Sequence, residues 1–263
     1  AVVLIDKNIA NLYGLELKSL INKRPTIFIE ATEAEKTIAG INQVLNFFQK
    51  NNCVKQSIVI AIGGGIIQDI TTFAAHIYYR GLRWFFVPTT LLSMSDSCIG
   101  AKCGINFNEY KNQLGVFHSP SRVFISSRFL ETLSDTDIHS GYGEIVKLSL
   151  TGPDTFFDDL SDAINHFGFR NDQLLRFIVA SLKIKQNIIE KDEYEKDVRR
   201  ILNYGHTFGH ALESMTDYEI PHGIAVAWGI DLANYISWHL GILAKADYEH
   251  IHNAVMKHFR YKL

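Results

Sequence analysis

Two groups of residues in the 263-residue chain have the types and spacing to do chemistry. In the second half, His206-Thr207-Phe208-Gly209-His210 sets two imidazoles four residues apart, which places both on one face of a helix. His222 follows in Pro221-His222-Gly223, and Glu144 stands in Gly143-Glu144-Ile145-Val146-Lys147 on another predicted helix. Three nitrogen or oxygen ligands with a fourth position open describe a catalytic zinc site. With 11 histidines in the chain, an i,i+4 pair is a common accident and does not by itself establish a metal. The residues between the pair rule against the H-E-x-x-H pattern of a metalloprotease. Gly205 and Gly209 predict close packing around the pair rather than a surface helix.

In the first half, Gly63-Gly64-Gly65 follows an apolar run at 57–62 and opens a helical pattern. Adjacent glycines let backbone approach a diphosphate, and the helix start beyond them favours anions. The dinucleotide pattern G-x-G-x-x-G is not met, because position 68 is Gln68. Asp69, one turn into that helix, can bond a ribose or an amide. Asp96 and Lys102 lie in a Ser- and Gly-rich stretch, Lys111-Asn112 in what reads as a loop, and Arg80 closes a helix before Gly81. Such segments suit phosphate oxygens. Lys185, Glu195, Arg199 and Asn203 lead into Gly205-His206, and residues 191–200 read on their own as an exposed mixed-charge loop.

The elements that must position these residues follow from hydrophobic periodicity. Short β-branched runs at 2–5, 26–29, 57–62, 84–87 and 122–126 alternate with helical patterns such as 34–49 and 66–79. That alternation predicts a parallel sheet with covered faces. Beyond residue 128 long amphipathic patterns dominate, at 140–150, 173–190, 205–215 and 223–240. The reading is an α/β domain at 1–128 followed by an all-α domain at 129–263, packed tightly around a shared cleft. The chain is 47% hydrophobic with a net charge of −2, so it has material for a substantial core and no dominant basic face for nucleic acid. Three sparse cysteines imply no disulfide framework, and no run nears the roughly 18 apolar residues of a membrane span. These features predict a soluble cytoplasmic protein acting on a small molecule, without nucleic-acid or membrane partners. A strand at the first residues and a helical pattern just before the last predict a longer natural chain.

Taken in order, the segments resemble the 3-dehydroquinate synthases and the wider sugar-phosphate cyclase family. The resemblance is carried by Gly63-Gly64-Gly65-x3-Asp69, Arg80-Gly81, Val87-Pro88-Thr89-Thr90, Asp96-Ser97-x2-Gly100-x-Lys102, Lys111-Asn112, Gly143-Glu144-x2-Lys147, Arg199-x2-Leu202-Asn203-x-Gly205-His206-Thr207-x-Gly209-His210-Ala211-x-Glu213 and His222-Gly223. It implies a nucleotide-binding α/β domain joined to a helical metal-binding domain, an active site between them, and a homodimer. It implies Glu144, His206 and His222 as ligands of Zn2+, with Co2+ an alternative ion. Around NAD it implies Asp6, Asn8, Glu33, Lys36, Gly64, Gly65, Asp69, Thr89, Thr90, Lys111, Phe129, Thr132 and Leu133. Around substrate it implies Lys102, Asn112, Asn203, His210 and a neighbouring subunit's Arg80 at the phosphate. Asp96, Lys147, Lys185, Glu195 and Arg199 complete the polar shell, with Lys185 and Arg199 addressing a carboxylate or hydroxyls. The activity implied is cyclisation of a seven-carbon keto-acid phosphate with phosphate release, NAD being used catalytically by a lyase of the shikimate pathway. A cyclase of valiolone or deoxy-inosose type, a metal-dependent polyol dehydrogenase and a non-catalytic paralogue are the alternatives. Gln68, Ala101 and Cys103 depart from the family pattern, and Gln68 beside the glycine turn predicts altered seating of the cofactor phosphates. The family's C-terminal segment, with a further lysine at the substrate, has no counterpart within these residues.

Overall fold

The computed structural model describes residues 1–108, 110–153 and 155–261. They form two compact units, Ala1–Thr132 and Leu133–Leu263. The first unit runs β1 (Val2–Asp6), α1 (Lys7–Leu12), α2 (Gly14–Ile21), β2 (Thr26–Ile29), α3 (Ile38–Lys50), β3 (Ile58–Gly63), α4 (Gly65–Ile77), β4 (Arg83–Pro88), β5 (Ile105–Phe107), β6 (Tyr110–Leu114) and β7 (Arg122–Val123). The second is helical: α5 (Asp135–Leu150), α6 (Thr155–Phe167), α7 (Leu174–Ile189), α8 (His206–Met215), α9 (His222–His239) and α10 (Lys245–His258). The expected architecture is therefore present, a parallel sheet followed by helices.

Five strands pair in the order β2-β1-β3-β4-β7, all parallel. Val3, Leu4 and Ile5 of β1 and Val59, Ala61 and Ile62 of β3 are buried, as strands covered on both faces require. The order reverses between β1 and β3, and in such sheets ligands bind beyond the carboxyl ends of the strands at that reversal. Asp6 ends β1 there and caps α1 by accepting from Asn8 N at 2.8 Å. Gly63 ends β3, and Gly64 stands at the N-cap of α4 with extended backbone. A Cβ on Gly64 would fall 2.9 Å from Thr90 Cγ2, so the Thr90 side chain after β4 packs directly against the backbone of the glycine turn.

Two segments differ from the sequence reading. Residues 93–97, in the stretch read as a loop, form a π-helical turn (Ser93–Ser97). Its serines satisfy local carbonyls, Ser95 Oγ donating to Leu91 O at 2.8 Å and Ser93 Oγ to Thr90 O at 2.9 Å. Lys111 and Asn112 lie not in a loop but in β6, which pairs antiparallel with β5. That hairpin is mostly exposed and polar, so no alternation of buried residues marks it. Asn112 also has φ +55°, an irregularity held by Asn112 N donating to Asn106 Oδ1 at 2.9 Å.

In the second unit α5 and α9 meet backbone to backbone. A Cβ on Gly143 would lie 1.9 Å from Gly223 O, and one on Gly223 would lie 1.7 Å from Ser140 O. Glu144 and His222 are the chain neighbours of these two glycines, so the contact that needs glycine sets those side chains together. Gly205 has φ +79° and stops the Val198–Asn203 turn from running into α8, which leaves His206 in the first turn of that helix. Among the described residues no helix is long and apolar enough to cross a membrane.

Candidate active site

Glu144, His206 and His222 converge in the second unit. Their nearest ligand atoms all lie within 4.8 Å of one another. Glu144 Oε1 is 3.1 Å from His222 Nε2 and 3.8 Å from His206 Nε2. Donors about 2.0–2.2 Å from a tetrahedral ion stand roughly 3.4 Å apart, so the set has the dimensions of a metal site. Lys147, one turn along α5, donates to Glu144 Oε2. The other oxygen, Oε1, is buried and meets no donor in hydrogen-bond geometry. An unsatisfied carboxylate oxygen facing two imidazoles fits a divalent cation, whose charge would supply what no donor does.

The electrostatics fit a metal at Glu144 and His206, whereas His222 stays protonated until an ion displaces its proton. Burial pushes the Glu144 carboxyl upward, but the Lys147 ammonium and the two histidines overcome it and hold the group well below the ordinary range. Burial pulls His206 down to about 4, outweighing the attraction of Glu144, so its ring is neutral at neutral pH, as a ligand must be. For His222, burial is outweighed by the carboxylates of Glu144 and Glu213, and its pKa rises to about 10. Ion binding there displaces a proton.

The i,i+4 pair of α8 is divided between two roles. His206 faces Glu144, whereas His210 groups with Glu213 and His222. The three rings form one cluster, with centroids 5.3 Å apart for His206–His210 and His206–His222 and 5.8 Å for His210–His222. Nearby, an open pocket of about 740 Å3 is lined by Glu195, Asn203, Arg200 and Thr207 among others. Asn203 Nδ2 donates to Glu195 Oε1 at 2.6 Å. Arg199 and Lys185 are buried, and Arg199 Nη1 donates to Glu193 O.

In the first unit the residues assigned to the cofactor form three groups. Asp6, Asn8, Gly64, Gly65, Thr89 and Thr90 lie at the carboxyl ends of β1, β3 and β4. Glu33, Lys36 and Asp69 form a charge cluster around the buried Lys36, whose Nζ is 3.2 Å from Glu33 Oε1 and 3.3 Å from Asp69 Oδ2 and donates to Asn112 Oδ1 at 2.8 Å. Asn112, assigned to the phosphate, thus joins the cofactor residues, and Lys111 adds its charge near Glu33. Phe129 and Thr132 are anchored by Tyr13, whose ring meets Phe129 edge-on at 4.9 Å. The Tyr13 hydroxyl lies 3.0 Å from Thr132 Oγ1 and donates to Arg128 O at 2.8 Å. Leu133 begins the second unit, its carbonyl accepting from Arg170.

Lys102 sits at an isolated bridge with Phe117, and Asp96 within the π-helical turn. Arg80 follows α4 with φ +58°, between Tyr79 at +49° and Gly81 at +110°. Lys55 holds this turn by donating to the carbonyls of all three residues, at 2.7–3.0 Å.

Gln68 does not reach toward the glycine turn. It is buried, donates from Nε2 to Ser97 O at 2.6 Å and accepts from Ser97 Oγ at 2.7 Å, so it ties α4 to the π-helical turn. The sequence reading gave no role to Tyr13, Asn106 or Lys55, and took Glu213 only as a residue of the His210-Ala211-x-Glu213 motif. Only Glu213 carried a usable signal, standing seven residues after His206 and so on the same face of α8.

Comparison with known proteins places this geometry. Residues 26–140 match the family model for the 3-dehydroquinate synthase N-terminal domain, and residues 141–263 the model for the 3-dehydroquinate synthase C-terminal domain. A 3-dehydroquinate synthase of Helicobacter pylori is 37% identical over 270 residues, covering 100% of this chain and 77% of that protein. The 2-epi-5-epi-valiolone synthase of Streptomyces hygroscopicus, solved with NAD+ and Zn2+ bound, superposes with a TM-score of 0.89 at 28% identity, covering 98% of this chain and 74% of that one. A 2-deoxy-scyllo-inosose synthase complexed with carbaglucose-6-phosphate, NAD+ and Co2+ follows at 0.87 and 26%, covering 97% and 72%. Both halves match the same family in order, and the curated relative aligns along the whole chain: the chain belongs to the 3-dehydroquinate synthase family.

Proposed function

We propose that the protein is a 3-dehydroquinate synthase, cyclising a seven-carbon keto-acid phosphate to 3-dehydroquinate with release of phosphate, as a cytoplasmic homodimer. The observation that carries the reading is the convergence of Glu144, His206 and His222, whose ligand atoms all lie within 4.8 Å of one another. These three residues would hold the divalent ion, and the first unit's strand ends and the Glu33–Lys36–Asp69 cluster would hold NAD. When bound, the ion supplies a Lewis acid toward neighbouring substrate oxygens, and NAD a hydride acceptor regenerated in each turnover. Net redox is then zero, which makes the protein a carbon–oxygen lyase.

The side chains do the remaining work. Oxidation of one hydroxyl carbon to a ketone acidifies the adjacent C–H. Lys102, Asn203 and His210, with Arg80 from the neighbouring subunit, would hold the phosphate against that proton, and Asn112 would orient Lys36 beside the cofactor. The phosphate oxygen takes the proton as the C–O bond breaks, so positioning matters more than a strong protein base. Lys185 and Arg199 address the carboxylate and hydroxyls, and Lys147 keeps Glu144 ionised. After the ketone is reduced again, ring opening and an intramolecular aldol close the carbocycle.

The 0.89 TM-score to the valiolone synthase makes a cyclase of neutral heptulose phosphates the second reading. Phosphate release separates the two. The purified protein with Zn2+ and NAD is expected to release phosphate from the keto-acid phosphate at least tenfold faster than from a neutral heptulose phosphate, an order expected for loss of one paired charge. Turnover of the neutral substrate alone would establish the second reading in its place.

A further inference from the structure

We propose that Glu213 is a positioning residue for the metal site, fixing by its hydrogen bond to Nδ1 of His222 the tautomer that presents Nε2 to the ion. The inference rests on the metal reading above. A neutral imidazole has one N–H and one lone pair, so whichever nitrogen meets an acceptor decides which nitrogen can ligate. His222 Nδ1 lies 3.2 Å from Glu213 Oε1, while its Nε2 lies 3.1 Å from Glu144 Oε1. His206 has the equivalent arrangement with a backbone acceptor, its Nδ1 standing 3.2 Å from Tyr204 O. Both imidazoles therefore turn Nε2 inward and have an acceptor behind Nδ1. Glu213 is itself buried, and it stands two turns after His206 on α8. One helix thus carries a ligand and, on the same face, the group that orients the other ligand.

The same atoms admit a rival arrangement, because His210, Glu213 and His222 also lie within 4.8 Å of one another. An ion there would take Nδ1 of His222 and leave Nε2 for the first ion, which requires an imidazolate bridging two metals. The hydrogen bond and the second ion are mutually exclusive at Nδ1, so metal stoichiometry tells them apart.

The test is zinc affinity of the full chain, measured by competition with a chromophoric chelator, for wild type, Glu213→Gln, Glu213→Leu and His206→Ala. Wild type is expected to bind one Zn2+ per chain, and His206→Ala to lose it. Glu213→Leu should weaken binding about 10- to 100-fold, the range for loss of such an outer partner. Glu213→Gln keeps an acceptor oxygen without its charge and should fall between Glu213→Leu and wild type, which guards against a folding defect in the apolar variant. Wild-type affinity in both Glu213 variants would overturn the proposal. Two ions in wild type and one in the variants would overturn it as well, making Glu213 a ligand. If wild type takes up no zinc, or His206→Ala retains it, the failure belongs to the metal reading beneath.

Discussion

At Asp69 burial and a neighbouring cation oppose each other, and burial wins. Removal from water drives the carboxyl up from 3.8 to about 6, although Lys36 and the Gly104 backbone draw it down. The folded chain therefore binds a proton that the unfolded chain has released between about pH 4 and about pH 6, and stability falls as pH rises through that window. At about 1.4 kcal/mol per unit the loss approaches roughly 3 kcal/mol. Asp69→Asn imitates the protonated group, so its urea-unfolding free energy relative to wild type should climb by that order between pH 4 and pH 7 in metal- and cofactor-free protein. A difference that stays flat across the range would show that Asp69 is ionised throughout. Other residues were legible by type alone. The histidines and Glu144 stood out, but that His206 would face Glu144 while His210 faced Glu213 follows from the helix packing, which sequence spacing does not encode.

Among elements, β1 and β3 were legible because buried parallel strands are continuous apolar runs, β2 and β4 because their short runs are apolar and β-branched or aromatic, and α5, α7, α8 and α9 because their patterns are long. The β5–β6 hairpin was not, since its residues are largely exposed and polar. Helix α10 was legible as the helical pattern just before the last residues, although it buries few of them, chiefly Tyr248 and Val255; α6 was not read, although it buries Phe156, Phe157, Leu160 and Ile164 at helical spacing. The π-helical turn at Ser93–Ser97 has no periodic signature, being held by serine hydroxyls and by Gln68. Replacing Gln68 by Ala leaves the Ser97 carbonyl and hydroxyl without these partners. Urea unfolding should show Gln68→Ala less stable by about 1–3 kcal/mol, the cost of unmade buried hydrogen bonds. An unchanged midpoint would mean that the turn carrying Asp96 holds itself.

For the molecule as a whole, the change from sheet to helices was readable from the change of hydrophobic period, whereas the strained turn that carries Arg80 was not. Three successive residues at positive φ, clasped by Lys55, set Arg80 in an exposed turn. If that side chain completes a neighbouring subunit's phosphate site, Arg80→Ala and Lys102→Ala chains, each inactive alone, should complement one another. Random mixing makes half the dimers hybrid with one intact site each, so co-refolded chains should recover about a quarter of wild-type activity. No recovery would place Arg80 in its own subunit's site, and an Arg80→Ala chain active alone would place it outside any. The contact between Gly143 and Gly223 has its own corollary for ion choice. Helices that touch through their peptide groups hold no side chain to trim or enlarge, so the aperture for the cation is set by the main chain. Preference among ions of different radius can then be re-engineered only by exchanging the donor atoms, not by adjusting the spacing of the helices that carry them.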